Sequence, residues 1–162
     1  MPISGMSIWR RSVTNDDRVS KGLVDIREAE AEIRKLIAGG EKSFLSEKKN
    51  ALALKYLLIE AVEAITDICQ HILAKTRGVA CGGYVDCIVK AGEQGLIKAE
   101  LSNKLRKLAD LRNSLIHRYW IINDKELFIQ CGANAGDFSD FIVQISLFLS
   151  QTKVKNPSGD SR

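Results

Sequence analysis

Apolar residues recur every three or four positions through most of this chain, and no segment alternates apolar and polar residues as a half-buried strand does. That period restricts the chain to helices that bury one face. The first row is Val19, Leu23, Ile26, Ala29, Ile33 and Ile37, ended by Gly39-Gly40. Ser43 or Ser46 is placed to cap the next helix, with Glu47 in its first turn. Its row, Leu54, Leu58, Ala61, Val62, Ile65, Cys69 and Ile72, is the longest and most apolar, running to about Lys75. Gly78, Gly82 and Gly83 mark a loop before a shorter helix, Tyr84 to Ala91. After Gly92 and Gly95 a third long helix buries Leu101, Leu105, Leu108 and Leu115. Asn123 and Glu126 have capping-box spacing at the start of a final helix. Its row is Phe128, Cys131, Ala135, Phe138, Ile142, Ile145 and Leu149, with Gly132 and Gly136 expected to bend it.

Four such helices on short connections predict an all-α fold, an antiparallel four-helix bundle with an additional short helix. A length of 162 residues suits one domain. We expect residues 1–16, which lack a helical period, to be a flexible N-terminal arm. The helical domain then occupies 17–151, and 152–162, with Pro157 and Gly159, form a flexible tail. No G-x-G-x-x-G, P-loop or solenoid repeat is present, which removes several nucleotide-binding and repeat classes. The cysteines Cys69, Cys81, Cys87 and Cys131 lack C-x-x-C spacing, so no metal site and no cofactor is expected. Thiols of this kind fit a reducing compartment, and with neither a signal-like apolar region nor a membrane span the expected location is cytoplasmic. The net charge of +4 is too small to identify a nucleic-acid binder by itself.

The chemistry-bearing residues gather at the end of the third long helix, in Arg112-Asn113-Ser114-Leu115-Ile116-His117-Arg118-Tyr119. The chain's other histidine is His71. On a straight helix Arg112 and His117 diverge by about 140°, whereas Asn113 lies about 40° from His117 and is placed to support the imidazole. Arg112 falls about 40° from Leu108 and so borders the buried row; His117 falls about 180° from it and points outward. Tyr119 returns to within about 20° of Arg112 if the helix persists that far. A pocket using both Arg112 and His117 therefore needs something beyond one helix, and a second subunit is the simplest source.

Histidine is the side chain suited to proton transfer near neutral pH, and arginine presents a donor fork matching phosphate oxygens. Together they suit phosphodiester chemistry on RNA: His117 exchanges protons with a ribose 2′-hydroxyl or leaving 5′-oxygen, and Arg112 stabilises charge on the phosphoryl oxygens. The competing reading of the pair is a salt-bridged Arg112 and a His117 that caps the helix C-terminus. On the second helix Tyr56, Glu60, Glu63 and Asp67 share one stripe. A solvated acidic face explains the stripe; Glu63 or Asp67 orienting the arginine or histidine is the sharper alternative. Trp120 either stacks on a base or packs at the helix end.

The segment R-N-S-L-I-H-R-Y resembles the R-x₄-H-x-Y motif of HEPN-superfamily proteins, and more narrowly of HepT-like toxin ribonucleases. The similarity extends over about residues 17–151, through I-E-A-V-E-A-I-T-D-I (59–68) and A-G-E-Q-G-L-I (91–97). It implies a metal-independent endoribonuclease of a type II/VII-like toxin–antitoxin pair, a homodimer whose paired motifs line a cleft and cut tRNA or mRNA. By motif position Arg112 and His117 match the family's catalytic pair, Asn113 its polar neighbour, and Tyr119 the tyrosine onto which an MntA-type minimal nucleotidyltransferase antitoxin transfers AMP. Arg118 occupies a variable motif position and would add phosphate affinity. The alternatives are a non-catalytic module that binds a nucleotide or the nucleotidyltransferase partner, and a purely structural helical dimer.

Overall fold

The computed structural model describes the backbone of residues 3–155 and side-chain burial for 17–152. Seven α-helices and one 3-10 turn make up the described chain, with no strand among them. The helices are α1 (Ile3–Ala38), α2 (Gly40–Leu45), α3 (Lys48–Arg77), α4 (Tyr84–Glu93), α5 (Ala99–His117), α6 (Asp124–Asn134) and α7 (Gly136–Lys155). The four long ones, α1, α3, α5 and α7, form the all-α bundle that the periodicity predicts.

Its core is the set of apolar rows brought face to face. Ile26, Ile33, Leu54, Leu58, Ile65, Leu105, Phe141 and Ile145 are all essentially inaccessible. Each fully buried Leu, Ile or Phe is worth about 1.5–3 kcal/mol of transfer free energy, which makes this shared interior the main term holding the helices together. The α1–α3 pair packs along the greatest length, while α4 lies against both α3 and α5. Close approach is built into two helix pairs. A Cβ on Gly22 of α1 would meet the Ile68 side chain of α3 at 2.9 Å, and one on Gly92 of α4 would meet Ser102 Oγ of α5 at 2.6 Å. Ser102 is itself buried and donates its hydroxyl proton to Ile88 O at 2.9 Å, tying α5 to α4. Glu30, a buried carboxylate on α1, accepts from Ser139 Oγ of α7 at 2.6 and 2.7 Å and from Arg34 at 2.9 Å.

The helix ends follow recognisable chemistry in places. Gly78 closes α3 at φ 62°, a left-handed conformation that costs glycine little, and lets Val79 N–H reach Leu73 O at 3.2 Å. Asn123 caps α6, its side chain accepting from Lys125 N and Glu126 N at 3.0 and 3.1 Å.

The α1 backbone is helical from Ile3, while the side chains of residues 1–16 lie outside the described set. Three expectations change. Neither Ser43 nor Ser46 caps α3: they belong to the separate short helix α2, where Ser46 Oγ bonds back to Ser43 O at 2.6 Å. Glu47 takes the N-cap position of α3 without a side-chain cap bond. The last helical row is divided between α6 and α7, which meet at Ala135; Gly132 stays inside α6 and Gly136 opens α7. Helix α7 carries the chain to Lys155, and 156–162 lie outside the described residues. No helix of the described residues is long and apolar enough to cross a membrane.

Candidate active site at the end of α5

Helix α5 stops at His117, in the middle of the motif. Arg118 leaves helical geometry at φ −142° and ψ 43°, its N–H closing the last turn on Ser114 O at 2.8 Å. Tyr119, Trp120 and Ile121 then form the 3-10 turn. The helix does not persist to Tyr119, so the tyrosine's expected return to the direction of Arg112 does not occur.

Arg112 points inward, into contacts supplied by two other helices. Its Nη2 donates to Glu63 Oε1 of α3 at 2.8 Å and to Tyr84 Oη of α4 at 3.1 Å. The Tyr84 hydroxyl passes its own proton to the same Glu63 oxygen at 2.7 Å, closing a three-membered ring of hydrogen bonds. The guanidinium also lies over the Tyr84 ring, 4.0 Å from its centroid, where the ring's negative face attracts the cation. Nη1 donates to Asn113 Oδ1 at 3.2 Å, while the buried Nε has no partner. The arginine side chain is only 13% exposed against 47% for Glu63, so the positive group is sheltered and the carboxylate borders solvent. The Tyr84 hydroxyl is pushed up from its ordinary pKa, chiefly by its hydrogen bond to Glu63 and then by burial, against the opposing pull of Arg112.

His117, Arg118 and Tyr119 are all exposed, Tyr119 at 66%. The Trp120 ring meets the Tyr119 ring edge to face at 5.4 Å yet is itself 69% exposed, so it packs on its neighbour without entering the core. With both residues inside α5, Arg112 and His117 are separated by about 7.5 Å along the axis and about 140° around it. Among the described residues no hydrogen bond joins His117 to the Arg112 cluster.

The structure thus brings Arg112, Asn113 and Glu63 together and leaves His117, Arg118 and Tyr119 on an open face. The Asn113 amide turns to the arginine instead of the imidazole. Asp67 does not reach the motif: both of its oxygens are engaged by Arg18 of α1, at 2.7 and 2.9 Å. Tyr84 is the site residue that the periodicity does not reveal, and its position immediately after Gly82-Gly83 is the only local signal. A cleft of about 260 Å³ beside the cluster is lined by Glu63, Thr66, Asp67, Gln70, Tyr84 and two cysteines, Cys81 and Cys87. Two wider hollows, about 490 and 620 Å³, lie elsewhere on the bundle and include no motif residue. Among the described residues no three His, Cys, Asp or Glu side chains gather as a metal-binding group.

A helical bundle carrying R-x₄-H-x-Y across the end of its third long helix is a HEPN-type domain. The family model described as "Ribonuclease HepT-like" matches residues 26–145, and the chain belongs to that family. A tRNA nuclease HepT of Aphanizomenon flos-aquae is 24% identical over 113 residues, covering 70% of this chain and 77% of the relative. The fold superposes on a tri-AMPylated Shewanella oneidensis HEPN toxin solved in complex with an MNT antitoxin. That match has a TM-score of 0.75 and 23% identity, over 81% of this chain and 98% of the toxin. It also superposes on YutE of Bacillus subtilis, a cytosolic protein of unknown function, with a TM-score of 0.73 and 18% identity over 85% and 92% of the two chains.

Proposed function

We propose that this chain is the ribonuclease toxin of a toxin–antitoxin pair, cutting RNA at a cleft between two copies of itself. The observation that carries the reading is the division of labour along α5, which holds Arg112 in a fixed cradle and presents His117 on an open face. Of the two Nη1 hydrogens of Arg112, Asn113 takes one and the other remains for a phosphoryl oxygen. His117 takes the proton of the ribose 2′-hydroxyl as that oxygen attacks phosphorus, or returns a proton to the departing 5′-oxygen. The bond to the 5′-oxygen breaks and a cyclic phosphate remains. Neither proton transfer nor charge stabilisation in this scheme calls for a metal.

The same geometry supports a dimer. Arg112 and His117 face different ways on one helix, and a two-fold partner lets the His117 face of each copy meet the other's cleft. Ile116, Trp120 and Ile121 are 42%, 69% and 56% exposed around His117, an apolar rim suited to being covered. The AMPylated state of the Shewanella toxin and its MNT antitoxin support Tyr119 as the acceptor of AMP from an MntA-type nucleotidyltransferase. Tyr119 is exposed enough to enter a partner's active site, and the adenylate would place negative charge where the RNA phosphate must bind. The relative named for tRNA nuclease activity favours tRNA as substrate over mRNA.

The decisive experiment incubates the purified protein with tRNA in excess chelator, beside His117→Ala and Arg112→Ala, after mass spectrometry has established that Tyr119 is unmodified. Cleavage by the parent protein and its loss by about 10²-fold or more in His117→Ala is the expected result. Equal cleavage by all three proteins, or none by any, overturns the reading.

A further inference from the structure

Three sulfurs gather next to the Arg112 cradle. Cys81 belongs to the glycine-rich loop, Cys87 sits one turn into α4, and Cys69 is fully buried on α3. The Cys81 Sγ donates to the Cys87 Sγ at 2.6 Å, and Cys87 in turn faces the Thr66 carbonyl at 3.5 Å. The two sulfurs are about 0.5 Å farther apart than in a disulfide, whose bond is about 2.05 Å. The segment between the two residues begins with Gly82 and Gly83, which leave its backbone unhindered by side chains as that gap closes. Both cysteines line the 260 Å³ cleft, Cys87 buried behind the half-buried Cys81, which a small solute meets from the side on which Glu63 and Tyr84 hold Arg112.

We propose that Cys81 and Cys87 form a reversible dithiol–disulfide site in the wall of this cleft, with glutathione-type disulfides as the oxidant class. Cys81, only half-buried, is the thiol that an incoming disulfide meets first. Burial, and then the close pairing with the Cys81 sulfur, push the Cys87 thiol up, so Cys87 keeps its proton until the second step. In the first step the Cys81 thiolate attacks one sulfur of the oxidant; a mixed disulfide forms and one small thiol leaves. In the second, Cys87 loses its proton and attacks the Cys81 sulfur; the intramolecular bond forms and the second small thiol leaves. Two protein thiols are oxidised, one small disulfide is reduced to two thiols, and the two protons end on those thiols.

The closed ring spans residues 81–87 and contains Tyr84. Oxidation therefore braces the backbone of the residue that stacks on the Arg112 guanidinium at 4.0 Å. The pair also differs from the remaining cysteines. Cys69 is entirely inaccessible and Cys131 lies on α6, on the rim of a different hollow.

The test equilibrates the full-length protein in glutathione buffers of graded ratio, quenches with acid, alkylates free thiols and digests with trypsin. Cleavage after Arg77 and Lys90 leaves both cysteines in one peptide, so the disulfide reads as the loss of two hydrogens with no alkylation. The expected result is a disulfide-to-dithiol ratio that rises about ten-fold for each ten-fold rise in glutathione disulfide over glutathione squared, and that dithiothreitol reverses. A thermal midpoint that rises on oxidation in the parent protein and stays fixed in Cys81→Ser is the accompanying result. Separate alkylation or glutathionylation of Cys81 and Cys87 in the most oxidising buffer, or preferential linkage of either to Cys69 or Cys131, overturns the proposal. The peptide readout uses the unsubstituted protein, so it remains decisive even where Cys81→Ser does not fold.

Discussion

Tyr84 offers the sharpest test of how this site is built, because its ring and its hydroxyl make separable contacts with the same arginine. Tyr84→Phe keeps the ring under the guanidinium and deletes the hydroxyl that accepts from Arg112 at 3.1 Å and donates to Glu63 at 2.7 Å. Hydrogen bonds to charged groups are typically worth about 1.5–3 kcal/mol. Glu63 is 47% exposed, and screening by water reduces the expected loss to about 1 kcal/mol. If Arg112 acts on the RNA phosphate, that loss lowers the cleavage rate about five-fold. Tyr84→Ala removes the stacked ring as well, adding about 1–2 kcal/mol of cation–π interaction. The total of about 2–3 kcal/mol corresponds to a rate loss of about 30- to 150-fold. The assay is single-turnover tRNA cleavage, with urea unfolding run in parallel to show that each variant is folded under assay conditions. Glu63→Gln combined with Tyr84→Phe should lose less than the sum of the two single effects, since both act through one Nη2. A folded Tyr84→Ala that cleaves at the parent rate would refute the claim that the cradle positions Arg112.

Two further outcomes follow from the packing and the loop. Gly92→Ala places a methyl 2.6 Å from Ser102 Oγ and should destabilise the fold by about 1–3 kcal/mol through overpacking of α4 on α5, read as a lower urea midpoint; an unchanged midpoint would show that the helices separate freely there. Asp86 is held below its ordinary pKa of 3.8, first by the Gly82 N–H and then by Lys90. Its folded value lies under its unfolded one, so its stabilisation is complete above the unfolded value and disappears as pH falls through the folded value. Asp86→Asn should therefore flatten the acid limb of a stability-against-pH curve, and an acid limb identical to the parent's would count against the Gly82–Asp86 bond.

Much of the architecture was legible because burial imposes a period. The α3 row from Leu54 to Ile72 is buried at every named position, and in the last row only Phe128 and Leu149 remain partly accessible. What the period cannot show is where a helix ends without glycine or proline. The stop of α5 at His117 carries no such mark, and its loss of helical geometry moved Tyr119 away from the direction that an ideal helix gives. Residues 3–16 lack an apolar row in the sequence, yet their backbone is continuous with α1. At the site, Glu63 was accessible to reasoning as part of an acidic stripe, although the spacing could not separate it from Asp67. Only the tertiary arrangement assigns Glu63 to Arg112 and Asp67 to Arg18. Tyr84 was out of reach because it arrives from a helix 28 residues upstream, and no local pattern announces which loop folds back on a given arginine.

The early end of α5 separates two demands that a single rigid helix would confuse. Arg112 is anchored where two other helices grip it. Tyr119 sits past the end of α5, exposed on one short turn. Such a turn can shift at the expense of a few local contacts, leaving the bundle interior unmoved. Sequence change in the turn can therefore alter what its exposed face presents without disturbing the arginine.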